Sequence, residues 1–146
     1  MMRIFIRPAG FLVLTLLPLG CGEKGPPEGP PLGKPASLHG KVTLPDGTPL
    51  RGGIITFTPV EVKANGKVRY EAAGLIDAQG NYKAGLNGDN AGAVPGEYKV
   101  TVKPRDYAEL PNSNVNKIPQ SFQSKASTPL QVVVEEKDNT FDVTLK

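Results

Sequence analysis

Pro95-Gly96-Glu97-Tyr98-Lys99-Val100-Thr101-Val102-Lys103 is the stretch that decides how this chain folds. Apolar Tyr98, Val100 and Val102 alternate with polar Glu97, Lys99, Thr101 and Lys103. That period of two puts one set on each face of a β-strand, and the Pro-Gly pair ahead of it breaks any helix. The period recurs in both directions. Leu38, Val42 and Leu44 alternate with His39, Lys41 and Thr43, and Phe141, Val143 and Leu145 with Thr140, Asp142, Thr144 and Lys146. Leu130, Val132 and Val134 form the segment before the last, and residues 54–58, 68–76 and 81–86 add three more. Pro45-Asp46-Gly47 and Asp77-Ala78-Gln79-Gly80-Asn81 supply turns. Strands with one dry face must cover one another, so the reading is all-β: a seven-stranded antiparallel β-sandwich, with residues 104–129 as a long surface connection that has room for one helical turn.

Composition agrees. The chain has 146 residues, 17 glycines, 15 prolines and no tryptophan, which suits one domain of short strands joined by turns. The net charge of +3 includes Arg3 and Arg7; without them 15 basic residues face 14 acids, a net of +1 that asks for no nucleic acid. Lys63, Lys67, Arg69, Lys99, Lys103 and Arg105 are interleaved with acids and lack an aromatic platform.

The start of the chain has the layout of a signal peptide: two arginines within Met1–Arg7, then the apolar run from Ala9 to Leu19. That run is about half of the ~20 residues a membrane-crossing helix needs. Leu17-Pro18-Leu19-Gly20-Cys21 resembles a bacterial lipobox, with Pro18 where leucine is usual. The resemblance implies a lipoprotein signal peptide over 1–20 and a diacylglyceryl group, with palmitate-type chains, on Cys21. As the one cysteine of the chain, Cys21 has no internal disulfide partner. Residues 21–36 read as a lipid-anchored, disordered Pro/Gly-rich linker, and 37–146 as the domain. Gly22 lacks the aspartate that marks inner-membrane retention in some bacteria, which favours an outer-membrane address in the cell envelope.

With the strands placed, the motif order resembles that of carboxypeptidase regulatory-like domains, which have a transthyretin-like sandwich. Gly40-Lys41-Val42, then Asp46 to Leu50 and Gly53 to Phe57, resemble the family's opening hairpin. Gly74 to Asp77 with Gly80 and Tyr82 resembles its second hairpin, and Pro95 to Val102 the strand that follows. Ile118-Pro119 to Phe122 and Asn139-Thr140-Phe141 resemble the end of the lipoprotein versions. The resemblance concerns fold, with the glycines expected in turns of positive φ; members are mostly accessory modules.

Candidate chemistry is sparse. His39 is the only histidine and is expected on a wet strand face. A zinc site needs several ligands and a hydrolytic triad needs a base beside its nucleophile; neither is expected. The 5-hydroxyisourate hydrolases of this fold use several histidines and a Tyr-Arg-Gly-Ser terminus, absent here. Asp77, Gln79 and Asn81 have the wrong glycine position for a calcium loop and read as a turn; Asn87-Gly88-Asp89-Asn90 reads as a polar loop. The expectation is therefore no catalytic, metal or cofactor site and no enzyme. It is an interaction module held to a membrane through Cys21, meeting an envelope protein, a glycan or cell-wall material through its sheet edges or residues 104–129. The alternatives are a self-associating structural component and, remotely, an enzyme using Glu71, Asp77 or Glu97.

Overall fold

A computed structural model describes residues 27–106 and 109–146. Those residues are all-β and sandwich-like: ten strand segments, three 3-10 turns and no α-helix. β2 (Ile54–Pro59), β5 (Ala72–Leu75), β7 (Gly96–Lys103) and β8 (Gln131–Val134) form an antiparallel sheet in the order β5-β2-β7-β8. β1 (Leu38–Thr43) is the centre of a second sheet, with β6 (Asn81–Lys83) on one side and β9 (Asn139–Thr140) and β10 (Val143–Thr144) on the other. β3 (Lys63–Ala64) and β4 (Lys67–Val68) make a separate hairpin.

The dry set of each strand meets between the sheets. Ile55, Phe57, Tyr98, Val100 and Val102 from one sheet bury with Leu38, Val42, Tyr82 and Val143 from the other. Phe57 holds the middle, 5.9 Å from the Tyr82 ring and 6.3 Å, edge-on, from Phe141. Each such fully buried side chain contributes about 1.5–3 kcal/mol.

The structure corrects four expectations. The last strand is parallel to β1, not antiparallel: His39 lies opposite Thr140, and Val42 opposite Val143. Alternation fixes which face is dry but not which way a strand runs. The direction is set by a tight turn after β8, where Asn139 accepts the Glu135 amide (3.0 Å) and its side-chain nitrogen reaches Glu135 O, Lys137 O and Ser37 O.

Secondly, residues 104–129 are more than a surface connection. The 3-10 turns Val115–Lys117 and Gln120–Gln123 flank Ile118, and Ile118 and Phe122 are buried in the core. Glu109 pins this segment by accepting the amides of Gly53 (2.9 Å) and Arg105 (2.6 Å), while Asn114 accepts the Arg51 amide at 2.6 Å.

Thirdly, part of the expected disordered linker is docked. The amide of Leu32 donates to Val68 O (2.7 Å), that of Val68 to Pro30 O (2.8 Å), and Ala36 pairs with Ala93. This strap has few side chains to bury, yet its backbone groups satisfy an open strand edge.

Lastly, two of the motif glycines are not turn residues. Gly40 and Gly74 lie within strands and keep ordinary φ; a Cβ on Gly40 would stand 2.1 Å from Phe141 O, and one on Gly74 2.6 Å from Lys83 O. Both are glycine because backbone passes where a side chain would be.

Candidate functional site

A surface groove of about 1060 Å³ lies between the β3–β4 hairpin, the strap and the outer side of β2 and β5. Its size is at the upper end of small-ligand sites, about 300–1,000 Å³. Pro59, Val62 and Leu86 give it apolar walls, with Tyr70, Glu71 and Lys63 as polar points. The Thr58 hydroxyl donates to Glu71 Oε2 at 2.7 Å, leaving an exposed carboxylate held in one orientation. The Tyr70 hydroxyl donates to Gly29 O at 2.6 Å and fastens the strap over the groove.

Arg69 also lines the groove but is only 9% exposed, and its Nε and Nη1 donate to Pro95 O (3.1 Å) and Glu61 O (2.8 Å). The missing side chain of Gly96 gives the guanidinium its room: a Cβ there would be 2.5 Å from Arg69 Cζ. Arg69 thus joins the hairpin to β7. Exposed Glu28 and Glu71 both line the groove, so it can hold donors or cations of a ligand between apolar walls.

A second cluster joins β1 to β9. His39 Nε2 is 3.3 Å from Thr140 Oγ1, and His39 Nδ1 is 3.5 Å from Asp138 Oδ1. Separations of about 100 residues hid this arrangement from the sequence, and the parallel pairing creates it. The order hydroxyl, imidazole, carboxylate is that of a hydrolytic relay, but His39 and Asp138 are 37% and 68% exposed. Water screens such a pair to below about 1 kcal/mol, and its evident work is to fasten β9 to β1.

The other singled-out residues are dispersed. Asp77 Oδ1 accepts the amides of Gln79 (2.8 Å) and Asn81 (2.9 Å), which closes the expected turn. Asp89 accepts the Ala91 amide at 2.9 Å in the same manner. Glu97 stands on β7 opposite Val133, so Glu71, Asp77 and Glu97 occupy three separate elements. Arg105 donates to Ile76 O (3.2 Å), and Lys99 and Lys103 lie opposite Thr58 and Ile54. Among the described residues, no three His, Cys, Asp or Glu stand close enough to hold a metal. Cys21 and the 1–20 leader lie outside the described residues.

Two buried tyrosines carry shifted acidities. Burial pushes Tyr98 up from 10.0 to about 12, with Arg69 pulling the other way, and its hydroxyl donates to Val94 O at 2.6 Å. Tyr82 is also raised, by burial first and the Asp142 charge second, and donates to Phe141 O at 2.6 Å. At the exposed Pro45–Thr48 turn, hydrogen bonds from the Thr48 hydroxyl and amide lower Asp46.

One element here escaped the sequence reading although a signal for it was present. Asn65-Gly66 between short runs is the strongest local mark of a two-residue hairpin turn, and both residues have positive φ, 52° and 72°. It builds the hairpin that walls the groove. Fold and site together define an all-β, sandwich-like protein with an open, mixed apolar and polar surface groove. No known protein family, curated protein or solved structure matches the chain.

Proposed function

We propose that this protein is a non-catalytic, lipid-anchored envelope module that displays a seven-stranded, transthyretin-like sandwich of the carboxypeptidase regulatory-like kind. Its groove takes a protein, glycan or cell-wall ligand. The observation that carries the binding role is the groove itself: about 1060 Å³ of open space with a mixed apolar and polar lining and an oriented carboxylate, Glu71. The leader and its lipobox-like end carry the anchor, since the two or three chains of such a lipoprotein hold where one acyl chain is marginal. An outer-membrane address follows from Gly22.

Detergent phase partitioning with radiolabelled palmitate tests the anchor. The intact chain is expected in the detergent phase with label, and Cys21→Ala in the aqueous phase without it; equal partitioning ends the lipid reading. Crosslinking in intact envelopes with a photoreactive group at Tyr70 tests the groove, and adducts that survive Glu71→Lys unchanged would place binding elsewhere.

A self-associating structural component is the second reading, favoured by one observation. β8 ends its sheet, and its Val133 is 64% exposed, so an unpaired strand edge carries an apolar side chain. Sedimentation that is independent of concentration, and unchanged by Val133→Lys, removes it.

A further inference from the structure

The strap pairs with β4 in parallel, Pro31 beside Val68. Followed backwards from Pro31, it therefore runs as β4 does from Val68 back to Lys67 and Gly66. A Cβ on Gly29 would lie 2.9 Å from Val68 Cγ2 and 3.8 Å from Gly66 O, which puts the strap's beginning at the hairpin tip. Eight steps of chain separate Cys21 from Gly29, at most about 29 Å when fully extended. An anchor on Cys21 therefore holds this tip close to the lipid surface.

The tip suits that position. Asn65 and Gly66 form the turn, and a Cβ on Gly66 would meet nothing within 4 Å. Lys63 and Lys67 flank it, both exposed; Lys63 pairs with Val68 and Lys67 with Ala64, so the lysines stand on opposite faces of the hairpin. Of the acids nearest in sequence, Glu61 faces Arg69 at 3.9 Å and Glu71 accepts the Thr58 hydroxyl, and among the described residues neither lysine forms an ion pair.

We propose that the β3–β4 hairpin is the membrane-facing tip of the domain, its Lys63 and Lys67 taking phosphate headgroups of an anionic bilayer. The proposal rests on the lipid-anchor reading and adds the orientation that the anchor imposes. A lysine near an anionic surface contributes attraction equivalent to about five-fold in a contact equilibrium, and two about 25-fold.

The test uses the acylated chain on vesicles of phosphatidylglycerol or of phosphatidylcholine, both containing quencher-labelled headgroups. Acylation blocks Cys21, so a fluorophore can be attached selectively at Asn65→Cys or at Gln79→Cys. The Asp77–Gly80 turn carrying Gln79 adjoins the start of β2, where Ile76 donates to Gly53 O, while the hairpin follows the end of β2. Expected is stronger quenching at position 65 than at 79 on phosphatidylglycerol. The difference should be smaller on phosphatidylcholine, and smaller again on phosphatidylglycerol in Lys63→Glu/Lys67→Glu, a surface change that leaves the core alone. Equal quenching at the two ends overturns the orientation, and a difference that ignores lipid charge overturns the lysine–headgroup contact; both outcomes leave the anchor. A Cys21→Ala chain that stays with vesicles as firmly as the acylated one overturns the anchor, and the orientation with it.

Discussion

Gly40→Ala should be among the most damaging single-methyl additions this protein can receive. The new methyl would stand 2.1 Å from Phe141 O, 2.7 Å from Phe141 C and 3.0 Å from the Tyr82 hydroxyl. Carbon and oxygen settle no closer than about 3.3 Å, so the β9–β10 crossing must retreat by about 1 Å. That retreat breaks the 2.6 Å bond from Tyr82 to Phe141 O and loosens the neighbouring 2.8 Å bond from the Phe141 amide to His39 O. Overpacking costs about 1–3 kcal/mol and an orphaned buried hydroxyl about 1–3 more, giving about 2–6 kcal/mol. Domains have about 5–15 kcal/mol in all, so the urea midpoint should fall by about two fifths. Two comparison variants isolate the cause. Gly47→Ala meets no atom within 4 Å and bears only the strain of φ +81°, about 1–2 kcal/mol. Tyr82→Phe removes the hydroxyl alone and should not rescue Gly40→Ala, because the closer clash is with backbone. Equilibrium urea unfolding of the chain without its leader, with Cys21→Ser, measures all of these. A Gly40→Ala loss no larger than that of Gly47→Ala would refute the close-approach reasoning.

Three further outcomes are expected. Tyr98 is neutral in the fold up to about 12 but ionises near 10.0 once unfolded, so its contribution is complete below pH 10 and is lost as pH rises towards 12, roughly 2–3 kcal/mol in total. Urea midpoints at stepped alkaline pH should fall in that window, and less so in Tyr98→Phe. Glu109→Ala strips the acceptor from the Gly53 and Arg105 amides and leaves half-buried Arg105 without its carboxylate at 3.7 Å, which should cost about 3 kcal/mol, with Glu109→Gln milder. Asn139→Ala should cost about 2–3 kcal/mol and release amide protection at Glu135 in hydrogen exchange, since the Asn139 side chain is what closes that turn.

Much of the strand content was legible because one face of each strand is dry. Leu38, Val42, Phe57, Tyr98, Val100 and Val143 all follow the period and all reach the core. Direction was not legible, since a parallel and an antiparallel partner ask for the same alternation from the residues of β10. Ile118 and Phe122 were legible only through the motif resemblance, because 3-10 turns between prolines have no sustained period that would place them in the core. The strap was invisible to a hydrophobicity argument because the strap is held by carbonyls and amides. The groove was illegible for the same reason as the His39 cluster: its parts are assembled by the fold from separated segments, and the Asn65-Gly66 turn was the local clue.

The parallel seat of β10 beside β1 sets how late in folding this sheet can close. Val42 pairs with Val143, so the first strand is flanked on one side by residues about 100 positions further along the chain. A chain emerging from its N-terminus cannot complete this sheet early, and closure across about 100 residues belongs to the slow class of folding steps. Until then β1 is open on that side, an edge that any extended peptide can occupy. Removing residues 141–146 should therefore unseat the beginning of the domain along with β10.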